Sequence, residues 1–478
     1  MYFHGARATE VPTQYAKPQT TLSGVPIVIG TAPVHLATEP KINEAVYVES
    51  YEDAVKYLGY SNEFEKYTLC QSIFTHFIKF GVAPVVFINV LDPEQHKTEL
   101  KATDYDVTGK QVAIEQKDVI LDSLIVTNTE SKAKLKNGVD YIASYKDDLT
   151  TLITLTTDVK KINVSGYVLD ATQVTASDVI GGYNEETGEE TGTQLIRTVF
   201  PKFQVPPGTI LAPKFSKDKT VAAVLQSKSQ EINGMFKAMA LIDIDTASAS
   251  KYTDVEAEKS NLGITSENAV LLWPQMKYGD SIVSYSAVMA ALIQCVDVKN
   301  KGIPAKSPSN ELLGADAICL YDGTEVNLDE KQANTLNAIG VVTSTNYGGW
   351  RSWGNNTACY PSNTDPKDRW INCRRYFNWR ENNFIIGVHD KVDGIPDRKQ
   401  IENIVENENM KGNSYSNEGC CAGDKIFFNL SENPISNISD GKFVFHFMLA
   451  PYTPMEYIES KFEMDVKTIE AAYTAAFE

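Results

Sequence analysis

The sequence predicts a layered α/β fold with a small all-β insertion and an α+β C-terminal part, and three observations predict it. Short β-branched runs alternate with segments of helical apolar period, the pattern of a mostly parallel sheet covered by helices. Between about residues 94 and 179 that rhythm gives way to short alternating runs separated by turn signals such as Asn137-Gly138 and Asp147-Asp148, which reads as a β module set into the α/β frame. Beyond Trp350 the pattern changes again, to two helical stretches followed by strand-like runs.

Taken in order, residues 1–20 show no amphipathic helix. Residues 6–11 alternate as a strand, and Pro12 and Pro18 keep the segment extended. Such a terminus cannot bury itself, so it is expected either to be disordered or to add to another chain's sheet. Residues 25–29 form a short apolar strand, and 51–58 and 64–80 read as helices. In the second, Leu69, Ile73, Phe77 and Phe80 mark one face, and Gly81 sits where a helix stops. The run 85–91 (VVFINVL) has no polar face, as expected of a strand covered on both sides. The β module follows, with runs at 111–114, 118–128, 141–144, 149–156 and 164–168, closed by a polar loop at 181–192 whose glutamates read as solvated. The α/β rhythm resumes near Arg197: helix 220–232, strand 235–244, strand 269–273, helix 281–298, strands 318–321 and 338–343. Asp365-Pro366 opens a helix, with Pro at its first position. Asp397 caps another, and 442–450 reads as a strand. From 458 to 467 the alternation is nearly perfect: Ile458, Ser460, Phe462, Met464 and Val466 face one way and charged residues the other.

Composition bounds the function. At 478 residues the chain holds two to four domains, and 42% hydrophobic with 22% charged residues is ordinary globular composition. A net charge of -18 argues against nucleic-acid binding, which needs a basic footprint. No run of about twenty apolar residues predicts a membrane span, and the first residues lack the apolar core of a signal peptide. Seven cysteines without CxxC spacing suit a reducing compartment.

One segment stands apart. Residues 347–380 hold four of the five tryptophans, Trp350, Trp353, Trp370 and Trp379, together with Arg351, Arg369, Arg374, Arg375 and Arg380. Trp and Arg dominate binding hot spots, and guanidinium groups stack on rings and fork onto carboxylates. A contact surface or interdomain joint is one reading; a core helix with a charged outer face is the other.

Catalytic constellations are sparse. The histidines are His4, His35, His76, His96, His389 and His446, and none lies in a GxSxG context. No Walker loop, dinucleotide fingerprint, HExxH or EF-hand occurs. Cys420-Cys421 is a weak metal site at best. No catalytic residue, cofactor or metal is expected. The edges are more informative, because unpaired strands at chain ends invite pairing with another chain. Arg7, Thr9 and Val11 at one end, and Phe462, Met464 and Val466 at the other, are expected on inter-subunit arms. Phe443, Phe445 and Phe447 mark a receiving strand, although 458–467 pairing with 443–448 as an internal hairpin fits equally.

These segments carry a family resemblance. GGWRSWGN at 348–355 and DPKDRWINCRRYFNWREN at 365–382 resemble the junction that opens the C-terminal domain of contractile phage tail sheath proteins. HGARATEVPTQ at 4–14, GVPIVIGTAPV at 24–34, NGVDYIASY at 137–145 and KSPSN at 306–310 resemble the family in its order along the chain. The resemblance is nearest to single-chain sheaths of phage and R-type bacteriocin tails. It implies a subtilisin-like core with an inserted β-sandwich. It also implies hexameric rings stacked helically around an inner tube, arms exchanged between subunits, and contraction triggered by a baseplate. Its implied partners are the chain itself, the tube protein, and baseplate and terminator proteins, with assembly in the bacterial cytoplasm. On this resemblance the chain divides into an arm at 1–20, core at 21–95, insertion at 96–185, core at 186–355, C-terminal domain at 356–461 and arm at 462–478. A serine hydrolase on the same core and a non-contractile capsid or surface protein are the competing classes.

Overall fold

The computed structural model describes residues 19–20 and 23–477. Arg7, Thr9 and Val11 lie outside the described residues. The centre is an eight-stranded sheet. Its order is Trp350–Trp353, Val341–Asn346, Ala269–Leu272, Met239–Asp243, Pro207–Leu211, Val25–Gly30, Val85–Asn89, Ala45–Val48. The six inner strands are parallel and the two outer ones antiparallel to their neighbours. Every residue of Val25–Gly30, Val85–Asn89 and Met239–Asp243 is buried. Helices on both faces therefore take the Val, Ile and Phe side chains out of water, at roughly 1.5–3 kcal/mol for each large one. The first strand begins where Gly24 (φ 116°) crosses Gly208; a Cβ on Gly24 would lie 2.6 Å from the Gly208 Cα, so the two strands approach only through glycine.

Residues 97–169 form two further sheets of three and four strands around their own apolar cluster, which includes Val112, Ile114, Val126, Ile153, Ile162 and Val164. Lys97 and Leu169 pair across one ladder, so the segment leaves and rejoins the core at adjacent points. Val174 and Val179 belong to the main core.

Several expected elements shift. The helix expected at 64–80 starts at Thr68, and Phe74–Phe80 winds as a π-helix. The helix expected at 281–298 is a short strand, Ser281–Val283, and then Tyr285–Lys299. The strand expected at 442–450 is His446–Pro451, paired with Cys421–Phe427. Of the expected receiving residues only Phe447 lies in it; Phe443 and Phe445 precede it and pack on Phe428. The segment at 458–467 forms no strand and no hairpin with 443–448: residues 458–465 are irregular, and a helix, Val466–Phe477, begins where a strand was expected. Alternation makes a strand only when a neighbour supplies the ladder, and among the described residues none does. The alanines at 471, 472, 475 and 476 favour the helix.

Candidate functional site

Three features stand out: a buried arginine cluster, an exposed C-terminal tail and an open sheet edge. The cluster is built on the helix Ile371–Val388. Arg375 forks onto Asp297, with one nitrogen 3.0 Å from Oδ1 and the other in contact with Oδ2. Asp297 is fully buried and is the one acid in the mostly apolar helix Tyr285–Lys299. One turn or so later, Arg380 (2% exposed) grips Asp424 at 2.7 and 3.1 Å and Glu408 at 3.1 Å. Tyr376 adds its hydroxyl to Asp424 at 2.8 Å. Arg374 reaches Asp368, Asn378 and Glu381. Each guanidinium is thus desolvated and paired with a carboxylate.

The tryptophans frame this cluster. Trp350 donates to the Asp316 carbonyl at 3.0 Å, Trp379 packs on Tyr376 and Tyr415, and Trp370 lies 3.8 Å beneath the Arg369 guanidinium. Trp353 is half-buried. The expectation of a contact surface is therefore corrected for Arg374, Arg375, Trp350, Trp370 and Trp379, which are buried within the chain. A contact surface there would make replacement of Arg374 and Arg375 weaken assembly more than folding. For Arg375 the order reverses, because Asp297 would be left charged and unpaired. Asp297, Glu408 and Asp424 escaped the sequence reading. A lone acid in the apolar stretch 285–298 is the signal that could have found the first.

Among the described residues the tail is anchored at its base only. Asn372 donates to the Tyr452 carbonyl at 2.9 Å, and Arg369, stacked between Tyr360 and Trp370, pairs with Glu456 at 3.3 Å. From Met455 to Ala476 every residue is exposed, Phe462 at 96%. Met464 and Val466 are exposed with it, and the tail's side-chain bonds, Asp465 with Thr468 and Thr474 with Glu470, stay within the tail. The two-stranded sheet Cys421–Phe427 with His446–Pro451 has no further strand on either side among the described residues.

Three of the described histidines lie beside carboxylates. His35 lies 3.5 Å from Asp118, His96 lies 3.7 Å from Asp178 and His446 lies 3.0 Å from Glu432. His76 is fully buried and donates from Nδ1 to the Ser72 carbonyl at 2.9 Å, leaving Nε2 without a partner among the described residues. Asp243, Ser216 and Ser286 meet at the C-terminal end of the parallel strands. There the carboxylate accepts from the Ser286 N–H at 2.8 Å and the two hydroxyls at 2.5 and 3.1 Å, tethering the first turn of Tyr285–Lys299. Among the described residues no cluster of three or more metal-ligating side chains occurs, and no helix is long and apolar enough to cross a membrane.

Burial pushes His35 and His76 down to about 4, His35 against the opposing pull of Asp118. Both are neutral when folded, so the unfolded chain alone takes up protons between pH 6.5 and 4. Their contribution is complete above pH 6.5 and is lost on acidification, up to about 3 kcal/mol each. Burial raises Asp243 to about 6, so its contribution runs the other way, complete below pH 3.8 and lost as pH climbs to 6. Urea midpoints are expected to fall from pH 7 to 4.5, less steeply in His76→Asn and more steeply in Asp243→Asn.

No family model matches the chain. The tail sheath protein of Burkholderia phage BcepMu is 24% identical over 476 residues, covering 97% of each chain. The major tail sheath protein of Serratia phage KSP20 is 24% identical over 292 residues, 59% of this chain and 70% of that protein. Among solved structures, a chain of the anti-feeding prophage baseplate superposes with a TM-score of 0.59 at 14% identity, covering 97% of this chain and 99% of that one. A chain of the PVC sheath complex, an extracellular contractile injection system in its contracted state, superposes at 0.56 and 14% identity over 98% and 99%. The fold is a mixed α/β arrangement of several sheets shared with chains of contractile assemblies.

Proposed function

From the premise that this chain is a member of the tail sheath family, we propose that it is the structural subunit of a contractile tail and polymerises around an inner tube. The observation that carries this reading is the likeness to a tail sheath protein along 97% of both chains. The subunits form hexameric rings stacked helically, and a baseplate trigger releases a metastable packing that drives the tube through a target envelope. No nucleotide is consumed, since the free energy resides in contacts formed at assembly. The N-terminal segment, with Arg7, Thr9 and Val11, adds as a strand to the open edge of a neighbour's C-terminal sheet. The tail, with Phe462, Met464 and Val466, reaches a second neighbour; the exposure of its apolar side chains supports this. The helix with Arg374, Arg375 and Trp379 joins the subtilisin-like core to the C-terminal domain and holds the two as one body during contraction.

The β insertion is peripheral and dispensable. Its separate apolar cluster and its adjoining ends support excision at 97–169, with Val174 and Val179 kept for the core. A chain with 97–169 replaced by a short glycine linker is expected to fold and to polymerise; a folded variant that stays monomeric would refute this.

Electron microscopy of the purified full chain tests the function. Hollow tubes or stacked rings are expected. Monodisperse monomers that react with a serine-directed probe would move the assignment to a hydrolase.

A further inference from the structure

One pocket has walls rich in amides and without a free charge. It encloses about 530 Å³ between the loop at 305–310, the end of the helix Glu330–Ala338, the residues that follow the strand Trp350–Trp353, and the segment 452–456. Six asparagines line it: Asn310, Asn334, Asn337, Asn355, Asn356 and Asn372. Three belong to its framework. The Asn355 side chain accepts from the Ser307 hydroxyl, and the Asn356 side chain donates to the Asn337 carbonyl at 3.1 Å and accepts from Arg369 at 3.0 Å. The other three keep unspent capacity. Asn310 and Asn334 are exposed, and their side chains make no hydrogen bond among the described residues. Asn372, 2% exposed, donates to the Ala305 and Tyr452 carbonyls at 3.0 and 2.9 Å, yet its Oδ1 has no partner among the described residues. The two charged residues on the walls are already paired, Lys306 with Glu311 at 2.8 Å and Glu456 with Arg369 at 3.3 Å. Trp353 and Tyr360 add half-buried rings. Tyr360 already carries the Arg369 guanidinium at 4.3 Å, whereas the Trp353 ring has no aromatic or cationic partner among the described residues.

These walls select a ligand chemistry. An ion would find no free counter-charge, and a wholly apolar molecule would leave the amides unpaired. A sugar hydroxyl both donates and accepts, and a primary amide offers an acceptor and two donors, so neighbouring hydroxyls can meet one asparagine's oxygen and nitrogen together. The C–H face of a sugar ring is apolar and packs on the face of an aromatic ring. The buried Oδ1 of Asn372 is an acceptor whose missing bond a hydroxyl would supply. The volume has room for two hexose rings. We infer that this pocket is a binding site for a short neutral saccharide, with Trp353 as the stacking platform and Asn310, Asn334 and Asn372 as the hydrogen-bonding groups. Its walls come from segments far apart in the chain, so a bound saccharide ties the loop at 305–310 to the segment 452–456. The site stands apart from the assembly proposed above and is read on the isolated subunit.

Of the five tryptophans Trp353 alone is not buried, so acrylamide quenching of the full chain's fluorescence reads this pocket. Maltose, cellobiose and N,N′-diacetylchitobiose are titrated separately. At least one is expected to shield Trp353 from the quencher, with a dissociation constant in the millimolar range or below. Trp353→Phe should remove the quenchable signal and keep the binding heat in calorimetry, since a phenyl ring still offers a stacking face. Asn310→Ala with Asn334→Ala should weaken binding about tenfold, as for two lost hydrogen bonds, and leave the urea midpoint unchanged because both side chains are exposed. Shielding by none of the three sugars, or binding indifferent to the double substitution, would overturn the site. So would binding of an uncharged glycine–serine tetrapeptide where the sugars fail, which would make the asparagines readers of peptide backbone.

Discussion

Replacing Arg380 with alanine is expected to lower the unfolding free energy by roughly 3–5 kcal/mol, the range for removing one partner of a buried pair. The guanidinium is 2% exposed and holds Asp424 and Glu408, themselves 2% and 4% exposed. Without it, two carboxylates face each other away from water, with Lys411 near only one of them. Arg380→Lys should recover part of the loss, because an ammonium is a point charge and cannot fork onto both Asp424 oxygens while reaching Glu408. Urea denaturation followed by tryptophan fluorescence reads this directly, since Trp379 lies on the same helix. A loss within the ~1 kcal/mol typical of an exposed pair would show that water takes over the arginine's contacts. Arg375→Ala should behave similarly through Asp297 and loosen the link between the core helix and the helix that follows it in the C-terminal part.

A chain ending at Glu456 is expected to show the opposite pattern. Residues 457–476 are exposed throughout, so their removal should leave the urea midpoint of the isolated subunit unchanged. Assembly should fail: pelleting and microscopy should find soluble subunits or short stacks in place of long tubes. Normal tubes from the shortened chain would remove the tail from the assembly mechanism. The two variants thus separate stability from connectivity, one damaging the fold and the other the polymer.

Legibility in the sequence followed the locality of the physics. The helix Tyr51–Leu58 was read to the residue, with Ser50 supplying the cap. The run at 85–91 gave an inner strand, Val85–Asn89, because fully covered strands carry their signature in consecutive residues. The arginine segment was visible as a density of residues but not as a burial state. Its neutralising partners lie 78, 44 and 28 residues away in sequence, at Asp297, Asp424 and Glu408. The tail failed for a related reason. Its alternation at 458–467 was real, but a strand needs a neighbour and the described residues offer none.

The nine residues between the Glu456 anchor and the helix at Val466 make a tether that spans at most about 35 Å from anchor to helix when stretched. Within that radius a tail fixed to an already seated subunit is present at an effective concentration in the millimolar range. A free subunit meets the same tail only at its concentration in solution. A contact far too weak to pair subunits in dilute solution would therefore be nearly saturated at the growing end of a polymer. On the proposed assembly, the tether would make lone subunits slow to start a tube and quick to extend one.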